Sequence, residues 1–370
     1  MPPLQACHIC DVCKISRWSL TAVLLLLIGV LAGCTGYSAQ QQAAKALTLL
    51  SQIRTAHYTI FTTIHNARQR MMLGQVLEAD YARFKRLVPH AAPTLPLHGY
   101  VFTNRTQWAL YTRQAHPALA PIYLRIIAGG YTRKRVFALY RLDRWEMFSV
   151  AAHEAWHQFS YASLQDHLPA WLDEGLASQN ETIAWHHGQP VFEPWLNYPR
   201  WHALQQAAAV HKLWPLKKII TTQAGYVVTR GPQRIATYYG QIWSLSLFLE
   251  HSRYRPRLMR LLEAARRGLL TPLLLHAGLT PQDIAAGTVR WNRRAGPIFM
   301  RAYLSKQIST LDKAYRAFVR RLVSTWPPPQ TRRRYPIHWW KGAGPQDLTT
   351  QLHQQTRLNM LTGGQVAGSG

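Results

Sequence analysis

Acidic side chains are scarce in this 370-residue chain, which has 16 Asp and Glu against 43 Lys and Arg and a formal net charge of +27. Such an excess is typical of proteins that bind nucleic acid or an anionic membrane surface. The basic residues are scattered along the chain, however, and no nucleic-acid-binding motif is present. We therefore expect no nucleic-acid partner, and a generally basic surface without a dedicated anionic partner remains open.

Cysteine is also sparse, because the chain has four, at Cys7, Cys10, Cys13 and Cys34. A chain cut before Cys34 would keep one cysteine and could form no internal disulfide. The mature protein must then be stabilised by core packing and by any bound metal. A hydrophobic content of 48% with 14 Trp is sufficient for a sizeable core.

The N-terminal apolar run, residues 20–31, is shorter than the roughly 20 residues that a membrane span needs. Basic residues precede it, as in a signal peptide. It ends in Leu31-Ala32-Gly33-Cys34, which resembles the lipobox of bacterial lipoproteins, where the cysteine is lipidated and becomes the new N-terminus. We predict a lipoprotein signal over 1–33 and a lipid anchor on Cys34; a plain secretory signal or a short anchor helix is the alternative.

The residue after this cysteine bears on the destination of the protein. Thr35 is not the Asp of an inner-membrane retention signal, so we expect the outer membrane, facing the periplasm of the cell envelope. The basic segment before the apolar run is longer than usual, which suggests that translation begins near Val12.

The stretch His153-Glu154-Ala155-Trp156-His157 matches the pattern HExxH. Residues four apart share one helix face, so the two imidazoles can converge on one Zn²⁺ at about 2.0–2.1 Å. Glu154 lies about 100° further round the helix, near enough to take a proton from a metal-bound water. The pentad alone leaves open a helix with two surface His and a solvated Glu.

A second motif, WLDEGLAS, follows at residues 171–178 and contains Glu174 and Gly175. With Pro at the start, we predict a returning helix over about 169–186, which places the Glu174 carboxylate opposite the two His. Two His and one Glu, with water in the fourth position, form a hydrolytic zinc site. Gly175 would let backbones approach closely. Ser178, one turn later, is either a partner of the site or an exposed serine.

Together, HEAWHQ and WLDEGLAS resemble the gluzincin metallopeptidases, and more closely an uncharacterised bacterial group of peptidase-MA-like zinc proteins. Sequence similarity to that group is also present at residues 56–60, 129–131 and 239–243, and the resemblance covers about 56–322. It implies a zincin-like α+β fold, with a small mixed β-sheet over the HExxH helix and a mostly helical C-terminal half. It also implies that Val136–Tyr140 is an edge strand that pairs with substrate, and that Tyr239 stabilises the oxyanion. Core packing is the alternative for Tyr239.

Hydrophobic periodicity predicts the other elements. Strands are expected at 58–63, 98–103 and 135–140, and helices at 66–87, 106–113, 200–212, 238–251, 255–267 and 308–322. The chain divides into a signal peptide (1–33), a tether (34–55), a peptidase domain (56–322) and a basic, Pro- and Gly-rich tail that we expect to be disordered (323–370).

The predicted function is zinc-dependent hydrolysis of peptide bonds by an exported, membrane-anchored metallopeptidase, with His153, His157 and Glu174 as ligands and Glu154 as general base. Its partners would be a peptide or protein substrate and the membrane, through Cys34. The alternative is a non-catalytic envelope binding or assembly lipoprotein whose zinc site is structural or vestigial. A structural site needs a fourth protein ligand, and none stands at motif spacing. Hydrolysis of a different amide bond, such as one in cell-wall peptide, also remains open.

Overall fold

A computed structural model describes residues 41–126, 129–141, 143, 145–223, 227, 231–285 and 289–324. The predicted signal peptide, the predicted lipidation site Cys34 and nearly all of the predicted tail lie outside these residues. Within the described part, no helix combines the length and the hydropathy needed to cross a membrane.

Five short strands form one mixed sheet in the order β1-β2-β3-β5-β4. The three central strands run parallel, and β1 and β4 pair antiparallel at the two edges. The strands are β1 (Ser51–Arg54), β2 (Tyr58–Thr62), β3 (Leu97–Phe102), β4 (Gly130–Arg133) and β5 (Val136–Tyr140). The small mixed sheet of the predicted α+β fold is confirmed.

The prediction that Val136–Tyr140 is the edge strand was wrong. This strand, β5, is paired on both sides, and β4 is the last strand of the sheet. β4 is four residues long and begins at Gly130, directly after Gly129 with a φ of 125°. Two successive glycines are typical of a turn, so the sequence predicted a turn at Gly129-Gly130 and not the start of strand β4.

The rest of the described chain is mainly helical, as predicted for the C-terminal half. The helices are α1 (41–48), α2 (Ala67–Leu87), α3 (Arg105–Ala115), α4 (Ala120–Tyr123), α5 (Glu146–Ser163), α6 (Ala170–Ala177), α7 (Tyr198–Ala209), α8 (Leu216–Thr221), α9 (Pro232–Glu250), α10 (Arg255–Arg266), α11 (Leu270–His276), α12 (Pro281–Ala285), α13 (Val289–Phe299), which continues as a π-helix, and α14 (Ile308–Val323).

The predicted helix over 169–186 is wrong in its second half. α6 ends at Ala177, a 3-10 turn follows over Ser178–Asn180, and the chain then enters a hairpin of β6 (Ile183–His186) and β7 (Gln189–Phe192). The hairpin turn consists of His187 and Gly188, with φ of 50° and 77°. Two successive positive φ angles match the twist of a two-residue hairpin.

The boundary of the predicted tether also differs from the structure. Helix α1 and strand β1 both lie within 34–55, and β1 pairs with β2 along its whole length. The folded domain therefore begins before residue 56. A four-residue strand with half its side chains exposed has too weak an alternation to be recognised alone.

One large hydrophobic core fixes α5 under the sheet. Phe137 and Leu139, on the inner face of β5, are wholly buried with Trp156 and Phe159 of α5. Ala138 points to the outer face, where a smaller cluster packs against α3. Because the apolar side of α5 is committed to this core, its other side is free to carry the HExxH imidazoles.

Close packing of α6 against α9 requires glycine at position 175. A Cβ there would lie 2.9 Å from the carbonyl oxygen of Ile242 and would also collide with the Ser246 side chain. Gly175→Ala is therefore expected to lower the free energy of unfolding by about 1–3 kcal/mol, measured by denaturant titration.

Gly74→Ala is a matched control, because Gly74 also lies inside a helix. Its Cβ would meet side-chain methyl groups of Thr55 and Ile53, at 3.1 and 3.4 Å. We expect this variant to lose less free energy of unfolding than Gly175→Ala, or to gain some, since alanine favours helix more than glycine does. Equal losses in the two variants would contradict the packing argument.

Candidate metal centre

Helices α5 and α6 bring the three predicted ligands together. The Nε2 atoms of His153 and His157 lie 3.2 Å apart. Glu174 Oε2 is 3.5 Å from the first of these nitrogens and 3.8 Å from the second. A tetrahedral ion with bonds of about 2.0–2.1 Å would hold its ligand atoms about 3.4 Å from one another. The three side chains therefore fit one ion at a common point.

No fourth protein ligand from the described part of the chain joins this site. Over those residues, His153, His157 and Glu174 are the one group of three or more His, Cys, Asp or Glu whose candidate ligand atoms all lie within 4.8 Å of one another. The three side chains are 16–20% exposed, so solvent reaches them. Three protein ligands with access for water are typical of a hydrolytic site and not of a closed structural one.

The far side of the His153 ring is held by a chain of polar contacts. Its Nδ1 lies 2.9 Å from Glu181 Oε1. Glu181 in turn accepts two hydrogen bonds from the Arg200 guanidinium, at 2.7 and 2.9 Å, and one from Asn197 Nδ2 at 2.8 Å. An acceptor at Nδ1 fixes the orientation of the ring and directs Nε2 to the metal position.

His157 is held in the same way by Asp173. The His157 Nδ1 atom lies 3.0 Å from Asp173 Oδ2. The other carboxylate oxygen accepts hydrogen bonds from Trp156 Nε1 at 2.9 Å and from Ser160 Oγ at 3.2 Å. Both imidazoles therefore have an outer carboxylate partner, as metal-bound histidines usually do.

The neighbouring carboxylates favour the protonated form of each imidazole in the metal-free protein. Burial opposes a charge on His153, but its hydrogen bonds with Glu174 and Glu181 outweigh that effect and raise its pKa to about 10. Burial also opposes a charge on His157, while Asp173 and Glu174 raise its pKa to about 9. For Glu174, burial opposes ionisation, but the two His lower its pKa to about 2. A cation that binds the Nε2 atoms must displace these protons.

Glu154 lies beside the edge strand β4. The hydroxyl of Thr132 in that strand is 2.7 Å from Glu154 Oε2 and 3.0 Å from the Glu154 carbonyl oxygen. The residue is 7% exposed, so the alternative of a solvated glutamate on a surface helix is wrong. Its carboxylate is instead held between the HExxH helix and the sheet.

Tyr239 of α9 also reaches the site. Its hydroxyl donates a hydrogen bond to Glu174 Oε2 at 3.1 Å, and the Arg200 guanidinium lies 4.8 Å from its ring centre. Burial and the nearby Glu174 raise the pKa of Tyr239 well above its usual value, so the phenol keeps its proton. The Ser178 side chain is wholly buried, and its hydroxyl donates to the Gly175 carbonyl oxygen at 2.7 Å and not to the Glu174 carboxylate.

Comparison of the sequence with protein-family models and with curated proteins found no match.

Three residues of the site, Asp173, Glu181 and Arg200, were not identified from the sequence. A signal existed in the shortage of acidic residues. With Glu154 and Glu174, the first two make four of the 16 Asp and Glu of the whole chain. Four carboxylates in one small region of so basic a protein indicate a site for positive charge.

Glu181→Gln is expected to weaken zinc binding by about 10–100-fold. The amide removes the charged acceptor of His153 Nδ1 and the ion pair with Arg200, so the imidazole is oriented less firmly. The dissociation constant can be measured by competition with a chromophoric chelator. Glu263→Gln is the control, because Glu263 pairs on α10 with Arg266 and contacts none of the ligands. Unchanged zinc affinity in Glu181→Gln would refute the positioning role.

Proposed function

We propose that this chain is a zinc-dependent metallopeptidase of the gluzincin type, with a zincin-like fold. One observation carries the proposal: two imidazole nitrogens and one carboxylate oxygen converge, with outer carboxylates on both imidazoles and access for solvent. Zinc suits a set of two nitrogens and one oxygen at tetrahedral spacing. When bound, zinc would lower the pKa of a coordinated water toward about 7 and polarise the scissile carbonyl group.

Glu154 is the general base in this proposal. Its carboxylate takes a proton from the attacking water and passes it to the leaving amine. Thr132 keeps that carboxylate in place. The protonated phenol of Tyr239 donates a hydrogen bond to the oxygen on which negative charge develops, as oxyanion donors do. Its contact with Glu174 holds the hydroxyl at the site before substrate arrives.

An extended peptide substrate would pair with β4. Among the described residues, no strand pairs with the free hydrogen-bonding edge of β4, the edge that faces away from β5. Thr132, in the middle of this strand, contacts the general base. Backbone pairing along β4 would therefore bring a scissile peptide group close to Glu154, with little demand on its side chains.

The setting of the reaction is proposed from the sequence alone. The Leu31-Ala32-Gly33-Cys34 motif supports lipidation of Cys34. Lipidation would hold the peptidase in the cell envelope, on the periplasmic side of the outer membrane.

Metal analysis of the purified protein, paired with an unbiased peptide-library digest, tests the function. We expect about one zinc per chain, and cleavage that a chelator abolishes and zinc restores. Protein that holds zinc and cleaves neither peptides nor cell-wall peptide would contradict catalysis and favour the binding lipoprotein. Cleavage confined to cell-wall peptide would reassign the substrate.

A further inference from the structure

Residues 81–142 contain 10 Lys and Arg and no acidic residue. This segment supplies β3, β4, β5 and α3, so it builds the sheet edge beside the general base. All the formally charged side chains that this segment itself contributes to the edge are therefore cationic.

Cationic and tyrosyl side chains line a cavity of about 660 Å³ where β4 turns into β5. The cavity lies at the end of the sheet, between the C-terminal end of α3 and Tyr161 near the C-terminal end of α5. Its lining contains no acidic residue, and it includes Tyr100, Tyr111, His116, Arg133, Lys134 and Arg135.

Two of these cations are available to a ligand. Arg133 and Lys134 form no hydrogen bond or ion pair with any side chain that the structure describes, and Lys134 is exposed at the tip of the turn. The guanidinium of Arg135, by contrast, is held by the carbonyl oxygen of Thr94. Burial and the charge of Arg133 lower the pKa of His116, as expected where positive charge is not neutralised.

The alternation of β4 connects this cavity to the candidate active site. Thr132 faces α5 and Glu154, so its neighbours Tyr131 and Arg133 face the outer side of the sheet. A peptide paired with β4 alternates in the same way, and every second side chain would point toward the outer face. At about 3.3 Å per residue, Arg133 and Lys134 lie within about two residues of the position beside the general base.

We propose that this site takes polypeptides with Asp or Glu within about two or three residues of the scissile bond, and that Arg133 and Lys134 bind those carboxylates. The inference rests on the proposed peptidase function and on substrate pairing with β4. An acidic polypeptide fits this site better than nucleic acid or an anionic lipid surface. The free edge of β4 offers backbone hydrogen bonds that an extended polypeptide can form and that nucleic acid and lipid head groups cannot form in the same pattern.

Peptide binding to the Glu154→Gln variant tests this preference separately from cleavage. The probes are pairs of fluorescent peptides. The two peptides of a pair are identical except that one has Asp and the other Asn at a single position, which is varied over the three positions on either side of a central peptide bond. The best Asp peptide should bind about 10-fold more tightly than its Asn counterpart. Adding Arg133→Gln and Lys134→Gln should remove this difference, so that the Asp and Asn peptides bind with equal affinity. Adding Lys313→Gln and Arg320→Gln, which remove the same charge from α14, should preserve it.

Each other outcome has a definite meaning. Equal affinity for Asp and Asn peptides, no binding of either, or a preference that survives Arg133→Gln with Lys134→Gln overturns the proposal. Tighter binding of a single-stranded oligonucleotide or of phosphatidylglycerol vesicles through the same two side chains also overturns it. If the Asp preference appears but the parent protein cleaves no peptide, the proposed function fails and the acidic ligand stands. If the parent cleaves Asp and Asn peptides with equal kcat/KM, the proposed peptidase function stands and the preference for acidic substrates fails.

Discussion

Substitution of Glu154 by Gln should reduce peptide cleavage by about 10²–10⁴-fold while the zinc content of the protein stays unchanged. Glutamine keeps the size of the side chain and still accepts the hydrogen bond from Thr132, but it cannot take a proton from water. Glu154 is not one of the three convergent ligands, so metal binding should persist. Measuring kcat and bound zinc on the same preparation separates the two properties.

Glu146→Gln is the matched control, since Glu146 lies in the first turn of the same helix, about two turns before Glu154. This variant should keep the kcat of the parent. Cleavage at the parent rate by Glu154→Gln would refute the general-base role. Equal losses in the two variants would indicate a disturbed α5 and not a missing base.

Replacement of Glu174 by Ala should abolish zinc binding at concentrations that saturate the parent, and cleavage should be lost with it. Glu174 supplies the single carboxylate of the ligand set, and the two imidazoles left behind lie on one side of the ion. The loss of affinity should exceed the roughly 10–100-fold expected for an outer partner such as Glu181. Equilibrium dialysis against buffered zinc measures it directly.

Glu174→Gln separates the lost ligand from a disturbed neighbour, because its amide oxygen can still accept the hydrogen bond of Tyr239. This variant should fold like the parent, by circular dichroism, and bind zinc weakly. Zinc affinity equal to that of the parent in Glu174→Ala would show that the ligand set is wrong. The peptidase proposal would then have no support from the geometry.

The convergence of the candidate ligands was predictable because a helix fixes the positions of His153 and His157 relative to each other, whatever surrounds it. Glu174 needed one further assumption, a helix returning past α5, and α6 satisfies it. These features depend on spacing over a few residues, which sequence alone determines well.

The contact between Glu181 and His153 depends on a helix break that the sequence pattern did not indicate. In a continuous helix, Glu181 would stand about 10 Å beyond Glu174 along the axis. It reaches His153 because α6 ends at Ala177 and the chain turns through a 3-10 segment. Arg200 comes from a separate helix, α7, so its contact with Glu181 is a matter of tertiary packing. The edge strand β4 was missed because its four residues are too few to establish a period.

The concentration of carboxylates inside a strongly cationic protein would affect how the proposed zinc ion and acidic peptide arrive. A zinc ion would approach against the long-range field of the protein, whereas an acidic peptide would be attracted by it. Dissolved salt screens this field, with a Debye length of about 10 Å at 0.1 M. Stopped-flow fluorescence should therefore give opposite ionic-strength dependences: faster zinc uptake by the metal-free protein and slower capture of acidic peptide as salt is raised.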